Sequence, residues 1–333
     1  MQSLDDELEV RRGRSGPQRR RIPPMVRHAL GWVPVVLLIA VTLPRALGWD
    51  TLALLPSLLT LTPYVPLVAV PALLIAVLVR LPAAAVVLAG LLMLHGVWLI
   101  PRWTAEPPPA SSVRMSVMTA NLHFGGSDPA ALVALVQAER PDVLVLVELT
   151  PAAVAALDRA GLRSQLPHRV LQPRHGAAGT GIYARVPLRP AGRAPTGFAA
   201  PRATLEWSGR TVTVQAAHPI APRPRGIARW RSDLSAIAAD VARADGPLIA
   251  LGDFNATLDH ASFRHLLKAT GLRDAHDARG GGLVRTWPQG RRVPAFAHLD
   301  HVLVSPELAV GAVRDHAVVG SDHRAVVAEL ALR

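Results

Sequence analysis

The hydrophobic pattern divides the chain sharply. From Ala29 to Ile100 it is almost wholly apolar, with three stretches at about 29–43, 61–79 and 82–100. A membrane-spanning helix needs roughly 20 apolar residues, and PAAAVVLAGLLMLHGVWLI fits that length. The second stretch carries Pro63, Pro66 and Pro71, which predict a late start or a kink; the first is short and ends at Pro44 and Arg45. Trp32, Trp49, Tyr64, Trp98 and Trp103 lie near the expected ends, where interfacial aromatics gather. Two further apolar stretches follow the first and no small-residue cleavage site does, so a removed signal peptide does not fit. Residues 28–100 therefore read as about three transmembrane helices. Within the third, His95 reads first as a packed or hydrogen-bonded helix residue.

Residues 113–333 have an ordinary globular pattern, long enough for one large core. Short apolar runs of strand length alternate with amphipathic segments. VRMSVMTAN, DVLVLVEL, PLIALGDFN, AHLDHVLVS and RAVVAELAL read as strands; ATLEW and TVTVQAAH flank Ser208-Gly209, a hairpin signal. DPAALVALVQAER predicts a helix capped by Asp128 with Pro129 at its first position, and IARWRSDLSAIAADVARA predicts another. Mixed strands and helices of this kind imply an α/β sandwich.

Charge adds topology. Arg11, Arg12, Arg14, Arg19, Arg20, Arg21 and Arg27 follow an acidic start, and the segment 1–27 reads as a solvated, disordered tail. By the positive-inside rule that tail stays in the cytoplasm, and Arg80 suits a cytoplasmic turn between the second and third stretches. Three spans then place the globular part outside the cytoplasm; an even number would reverse this. Residues 101–112 (PRWTAEPPPASS) read as a proline-rich linker that lifts the domain off the membrane. The net charge of +12 comes almost entirely from arginine and favours an anionic partner, whether nucleic acid, membrane surface or phosphorylated substrate. There is no cysteine, which excludes disulfides, thiolate metal sites and a cysteine nucleophile.

Candidate chemistry sits where buried strands end. Glu148 follows DVLVLV, Asp253 follows PLIALG, and Asp300 lies inside AHLDHVLV. One buried carboxylate is more often a structural hydrogen-bonding group than a ligand. Several at the ends of different strands, together with amides and histidines, argue for one convergent site. The donors are oxygen-rich, which suits Mg²⁺ or Mn²⁺ better than zinc.

Six segments in order, TANLHFGG, PDVLVLVELT, QAAHPIAP, LIALGDFNAT, HLDHVLVS and GSDHRAVVAEL, are similar to the motifs of the endonuclease/exonuclease/phosphatase superfamily, that of deoxyribonuclease I and the neutral sphingomyelinases. The resemblance covers about residues 113–332. It implies a four-layer α/β sandwich and a metal-dependent phosphoesterase. It further implies that Glu148 is the principal metal ligand with Asn121 beside it, and that Asp322 lies by the metal or its water. By the same resemblance Asp253 orients or deprotonates the attacking water, Asn255 holds a phosphate oxygen, His218 contacts the phosphate, and Asp300 and His323 form a dyad at the scissile phosphate. The chain departs from the family pattern at Val147, where many members have Gln, and at His123, where many have Asn or Asp.

Trp287 matches a position that either walls the pocket or simply packs. Arg279, Arg285, Arg291 and Arg292 lie in a Gly/Pro-rich loop that reads first as solvated and second as a phosphate grip. His260, His265, His276 and His316 show no ligand spacing. The layout of several spans and an external domain resembles the actinobacterial glycopeptide-resistance membrane proteins of the superfamily, which implies a lipid-linked substrate such as undecaprenyl pyrophosphate. A membrane-tethered nuclease acting on nucleic-acid phosphodiesters is the alternative. A catalytically dead binding module would not need all the motif residues.

Overall fold

The computed structural model describes residues 23–108 and 113–333; the arginines before Arg27 and the end of the expected linker lie outside the described residues. Three helices, α1 (Pro24–Leu47), α2 (Leu55–Leu78) and α3 (Pro82–Trp103), are long and apolar enough to cross a membrane. At 1.5 Å per residue, α1 is about 36 Å long, against roughly 30 Å of hydrocarbon. It is longer than its apolar stretch suggests, because Pro34 and Pro44 are accommodated inside it. The three helices pack on one another through small and branched side chains such as Val35, Ala69, Ala72, Ala76 and Leu88. Their outward faces remain apolar and exposed. His95 meets Thr42 at 3.0 Å between α3 and α1, the packed role its position suggests.

The rest of the chain is two facing mixed sheets with helices outside them. The first sheet contains β1 (Met115–Asn121), β2 (Val143–Val147), β3 (His168–Gln172), β4 (Thr180–Ala184), β11 (Leu308–Ala317) and β12 (Arg324–Leu332), in the order β11-β12-β1-β2-β4-β3. The second contains β5 (Arg189–Arg193), β6 (Pro201–Trp207), β7 (Arg210–Ala217), β8 (Leu248–Asp253), β9 (Arg273–Asp274) and β10 (Asp300–Val304), in the order β5-β6-β7-β8-β10-β9. Each sheet has one parallel pair near its centre, β1/β2 and β7/β8.

The expected strands, the Ser208-Gly209 turn and the Asp128-capped helix are all present. Alternate residues such as Val117, Val145, Val214, Leu251, Val302 and Val326 fill the space between the sheets. The other face of the first sheet packs under α4 (Pro129–Glu139) and α5 (Pro151–Arg159); that of the second packs under α6 (Ile227–Val241) and α7 (Ala261–Thr270). Central strands buried on both faces read as continuous apolar runs, and β2 shows this in VLVLV.

The segment after α3 does not hold the domain at a distance. Gly282 N donates to Arg102 O at 2.8 Å, Glu106 N donates to Ala278 O at 2.8 Å, and the Glu106 carboxylate pairs with Arg273 and Arg333. Residues 101–106 are thus laid along the domain, bound down by acceptors and cations on it.

The helices dock as well. Asp259, whose side chain is fully buried, takes Arg45 at 2.8 Å and Arg102 at 2.7 Å. Burial alone would raise this carboxyl; the two guanidinium groups outweigh it and hold the group below its ordinary range. Asp50 accepts from Ser262 N at 2.6 Å in the first turn of α7, where an anion also meets the positive end of the helix. Tyr64 Oη donates to Phe296 O at 2.7 Å.

Candidate active site

The expected residues gather at one edge of the two sheets. Asn121 ends β1, Glu148 follows β2, His218 follows β7, Asp253 ends β8, Asp300 begins β10, and His323 precedes β12. Asp300 and Asp253 are register partners across β10/β8, so the two carboxylates face the site from neighbouring strands. Gly252 makes this possible: a Cβ there would lie 1.9 Å from Ala217 O, and its φ of +148° is open to glycine. Glu148 (φ 57°) and Asn255 (φ 48°) occupy the left-handed region just beyond β2 and β8. His123 (φ 48°) and Phe124 (φ 57°) do so beyond β1. Such backbone costs of order 1–3 kcal/mol per residue. Here it turns the chain out of each strand and aims the side chains into one space.

Asn121 stands in the middle. Its Nδ2 donates to Glu148 Oε1 at 3.2 Å and to Asp253 Oδ2 at 3.0 Å, and its Oδ1 accepts from His123 N at 2.8 Å. Phe124 N donates to Glu148 Oε2 at 2.5 Å. Asn255 N donates to Asp253 Oδ1 at 2.8 Å, and Asn255 Nδ2 gives one hydrogen to Pro219 O at 3.0 Å, leaving its second for a ligand. His218 Nε2 lies 3.8 Å from Asp253 and 3.9 Å from Glu148, its ring against Phe198. His323 Nδ1 pairs with Asp300 Oδ2 at 2.9 Å, while its Nε2 points at Asp253 Oδ2 from 3.7 Å.

Burial shapes the charges. It pushes His218 down, against Asp253, toward the neutral imidazole. It would push His323 down too, but Asp300 and Asp253 outweigh it and raise that ring to about 10, so it is an imidazolium at neutral pH. Burial lifts Asp253, and the His323 imidazolium opposes that lift.

Three buried carboxylates, Glu148, Asp253 and Asp300, thus converge around one imidazolium, His323, and Asp300 Oδ1 is buried without a hydrogen-bond partner. Uncompensated buried anions are costly. A divalent cation among these oxygen donors would supply the missing charge, so the residues fit the ion that the motifs imply. Asp253, Asp300 and His323 also bring one donor atom each to within 4.8 Å of one another.

Asp322 lies at the edge of this cluster, close enough to His323 to help raise it. It stands at the mouth, 3.3 Å from Arg291 Nη2 and 3.9 Å from His123 Nε2. Of the four loop arginines, Arg291 thus reaches the site, whereas Arg279 donates to Glu106 O at 2.9 Å on the docked segment. Trp287 walls the pocket, its ring 6.4 Å from His323 and 5.6 Å from Phe296. Ser321, in the GSDHRAVVAEL segment, sews the site together. Its Oγ donates to Asn121 O at 2.7 Å and accepts from His323 N at 3.0 Å.

A family model for the endonuclease/exonuclease/phosphatase family matches residues 118–323, most of the two-sheet domain. The chain belongs to that family. Its members are phosphate-ester hydrolases, generally dependent on divalent metal. No protein of curated function matches the sequence. Solved structures share the family fold at low identity. D. rerio TDP2 complexed with single-strand DNA product is 17% identical with a TM-score of 0.55, over 66% of this chain and 100% of that one. The human nocturnin catalytic domain with bound sulfate is 18% identical with a TM-score of 0.52, over 70% and 99%. SmcL is 15% identical with a TM-score of 0.50, over 66% and 99%. At such identities the likeness is one of fold.

Proposed function

We propose that this member of the family is a membrane-anchored phosphohydrolase, dependent on Mg²⁺ or Mn²⁺, whose substrate is a lipid-linked phosphate ester such as undecaprenyl pyrophosphate. One observation carries the lipid reading. Among the described residues of 113–333, the large hydrophobic side chains left exposed are Val113, Phe124 (53%), Val293 (56%) and Val319 (60%). The last three sit on the loops that rim the site: Phe124 next to Glu148, Val293 beside Arg291, Val319 just before Asp322. Scattered apolar residues need no explanation, but three of these four gathered at the mouth of a polar site mark a place for an apolar ligand or a bilayer. Tyr64, Phe296 and Trp287 join that mouth to α2.

In this reading Glu148, with Asn121 beside it, would hold the cation, and Asp322 would border it at the mouth; when bound, the ion would supply charge that neutralises the phosphoryl group. The chain does the rest. Asp253 orients and deprotonates the attacking water. Asn255 and His218 donate to phosphoryl oxygens, and His323, kept protonated by Asp300, stabilises charge developing at the phosphate. Arg291 offers a cation to a second phosphate at the rim.

Arg45 and Arg102, at the ends of α1 and α3, both reach Asp259, whereas Arg80 lies in the turn between α2 and α3. That arrangement, with the arginine-rich tail, supports a domain on the extracytoplasmic side of a multi-pass protein.

The full-length protein in vesicles is to be assayed for phosphate release from a polyprenyl pyrophosphate, a phospholipid and a soluble phosphate ester, and for nicking of plasmid DNA. The reading requires the polyprenyl substrate to turn over faster than DNA. Substituting Phe124, Val293 and Val319 by serine together should slow the vesicle-presented reaction at least several-fold and spare the soluble ester. Efficient nicking with no phosphate release from any lipid would establish the nuclease alternative instead.

A further inference from the structure

A second cluster lies on the other side of β10 from Asp300. Successive residues of a strand face opposite sides, so His301 points away from the catalytic edge, into the layer under α7. There His301 Nδ1 meets Asp274 Oδ2 at 2.8 Å and its Nε2 meets Ala256 O at 2.9 Å. His298 stacks on His301 with ring centroids 4.0 Å apart, and His276 meets His298 edge-on at 4.8 Å. Asp274, His276 and His298 are all buried, and one donor atom from each lies within 4.8 Å of the others. Two nitrogens in this cluster, His276 Nδ1 and His298 Nε2, are buried without a hydrogen-bond partner. Orphaned polar atoms of this kind are costly, and these belong to two neighbouring ligand-type rings beside a carboxylate.

We propose that Asp274, His276 and His298 form a second metal site, separate from the cluster at Glu148, for a borderline dication of the Zn²⁺ class. The donor chemistry distinguishes the two places. Two imidazoles with one carboxylate suit Zn²⁺ or its neighbours, whereas the catalytic cluster is dominated by oxygen donors and suits a harder ion. The surroundings are those of a ligand set held in place. Asp315 Oδ1 sits 2.9 Å from His276 Nε2, placed to hold a proton on that nitrogen when Nδ1 ligates the ion. Asp277 N donates to Asp274 Oδ1 at 3.1 Å, and His301 orients the other oxygen.

A cavity of ≈ 20 Å³ borders His298, Asp277 and Arg102, room for about one water as a further donor. The ion would tie β9, the turn Ala275–Ala278 and the loop before β10 together, next to the docked end of α3.

The test uses full-length protein in detergent, stripped with chelator and reloaded with Zn²⁺, with Glu148→Gln protein to disable the first cluster. One equivalent of Zn²⁺ should bind to Glu148→Gln protein, and X-ray absorption at the zinc edge should show two imidazole ligands. His276→Gln and His298→Asn should each weaken binding tenfold or more. Asp315→Asn, which removes no ligand, should weaken it roughly 10- to 100-fold, with circular dichroism reporting that each variant is folded. The absorption measurement needs no substitution at the cluster, so a misfolded variant would not leave the matter open. No imidazole scattering, no Zn²⁺ retained, loss of Zn²⁺ through Glu148→Gln alone, or unchanged affinity in both histidine variants would each overturn the assignment.

Discussion

At the residue scale the site depends on pairs of groups that set one another's charge. Glu148 accepts from Asn121 and from Phe124 N and belongs to the buried anionic cluster. Glu148→Gln keeps the shape and removes the charge; metal-dependent hydrolysis should fall by roughly 10²-fold or more, with unfolding by circular dichroism little changed. Full activity in that variant would remove Glu148 from the metal. His323 is raised to about 10 by Asp300 and Asp253 acting against burial. A raised folded-state value means that its stabilising contribution is complete below the ordinary histidine range and is lost as pH climbs through about 10. Turnover that needs the imidazolium should therefore hold through neutrality and fall in the alkaline range. In Asp300→Asn the alkaline limb of kcat/KM should move to lower pH. A pH–rate profile identical to that of the parent would separate Asp300 from His323's role.

At the scale of elements, the docking of the helices turns on Asp259. Both of its oxygens are engaged, by Arg45 and by bidentate Arg102, in a fully buried setting. Breaking a buried pair from one side strands the remaining charge and costs roughly 3–5 kcal/mol. Asp259→Ala would leave two arginines facing each other, so the apparent melting temperature of the detergent-solubilised chain should drop, and cleavage by protease between α3 and β1 should accelerate. Unchanged cleavage would mean that the other links, from Asp50, Tyr64 and Glu106, suffice. Asp259 lies four residues beyond the GDFN motif. The strand end that bears Asp253 and Asn255 thus continues directly into the anchor for the helices.

At the scale of the whole molecule, the helices, the linker and the two-sheet domain form one connected structure. A chain truncated to residues 113–333 would lose both arginines from Asp259, the Asp50 carboxylate from α7, and the Tyr64 contact to Phe296 behind Trp287. The truncated domain should unfold at least several degrees lower than the full chain, by the usual scaling of about 2–4 °C per kcal/mol for a domain of this size. Its turnover of a soluble ester should fall as well, since the wall beside His323 loses support. Equal melting temperatures would show the docking to be energetically idle. A reporter fused after Arg333 should read the extracytoplasmic side; a cytoplasmic reading would overturn the proposed orientation and favour access to nucleic acid.

The primary sequence determined what is local or periodic. Apolar stretches marked the three helices because a span must cross the hydrocarbon, although the first stretch fell short of the full length. Runs such as VLVLV marked strands because both faces are buried, and carboxylates at the ends of those runs stood out because an anion there is costly without a partner. Glu148, Asp253 and Asp300 were legible for that reason, and Asn121, His218, Asn255 and His323 through the resemblance of the motifs; the structure brings them to one edge. What depends on pairing between distant segments was decided by the tertiary structure alone. β11 was not legible, since its exposed half breaks the apolar pattern. Residues 101–106 are held by partners far along the chain, and Asp322 meets Arg291 and His123 at the mouth of the site, contacts between distant segments. His276 and His298, 22 positions apart, showed no ligand spacing; they meet because β9 pairs with β10 and the loop between them folds back, a contact that no local pattern encodes.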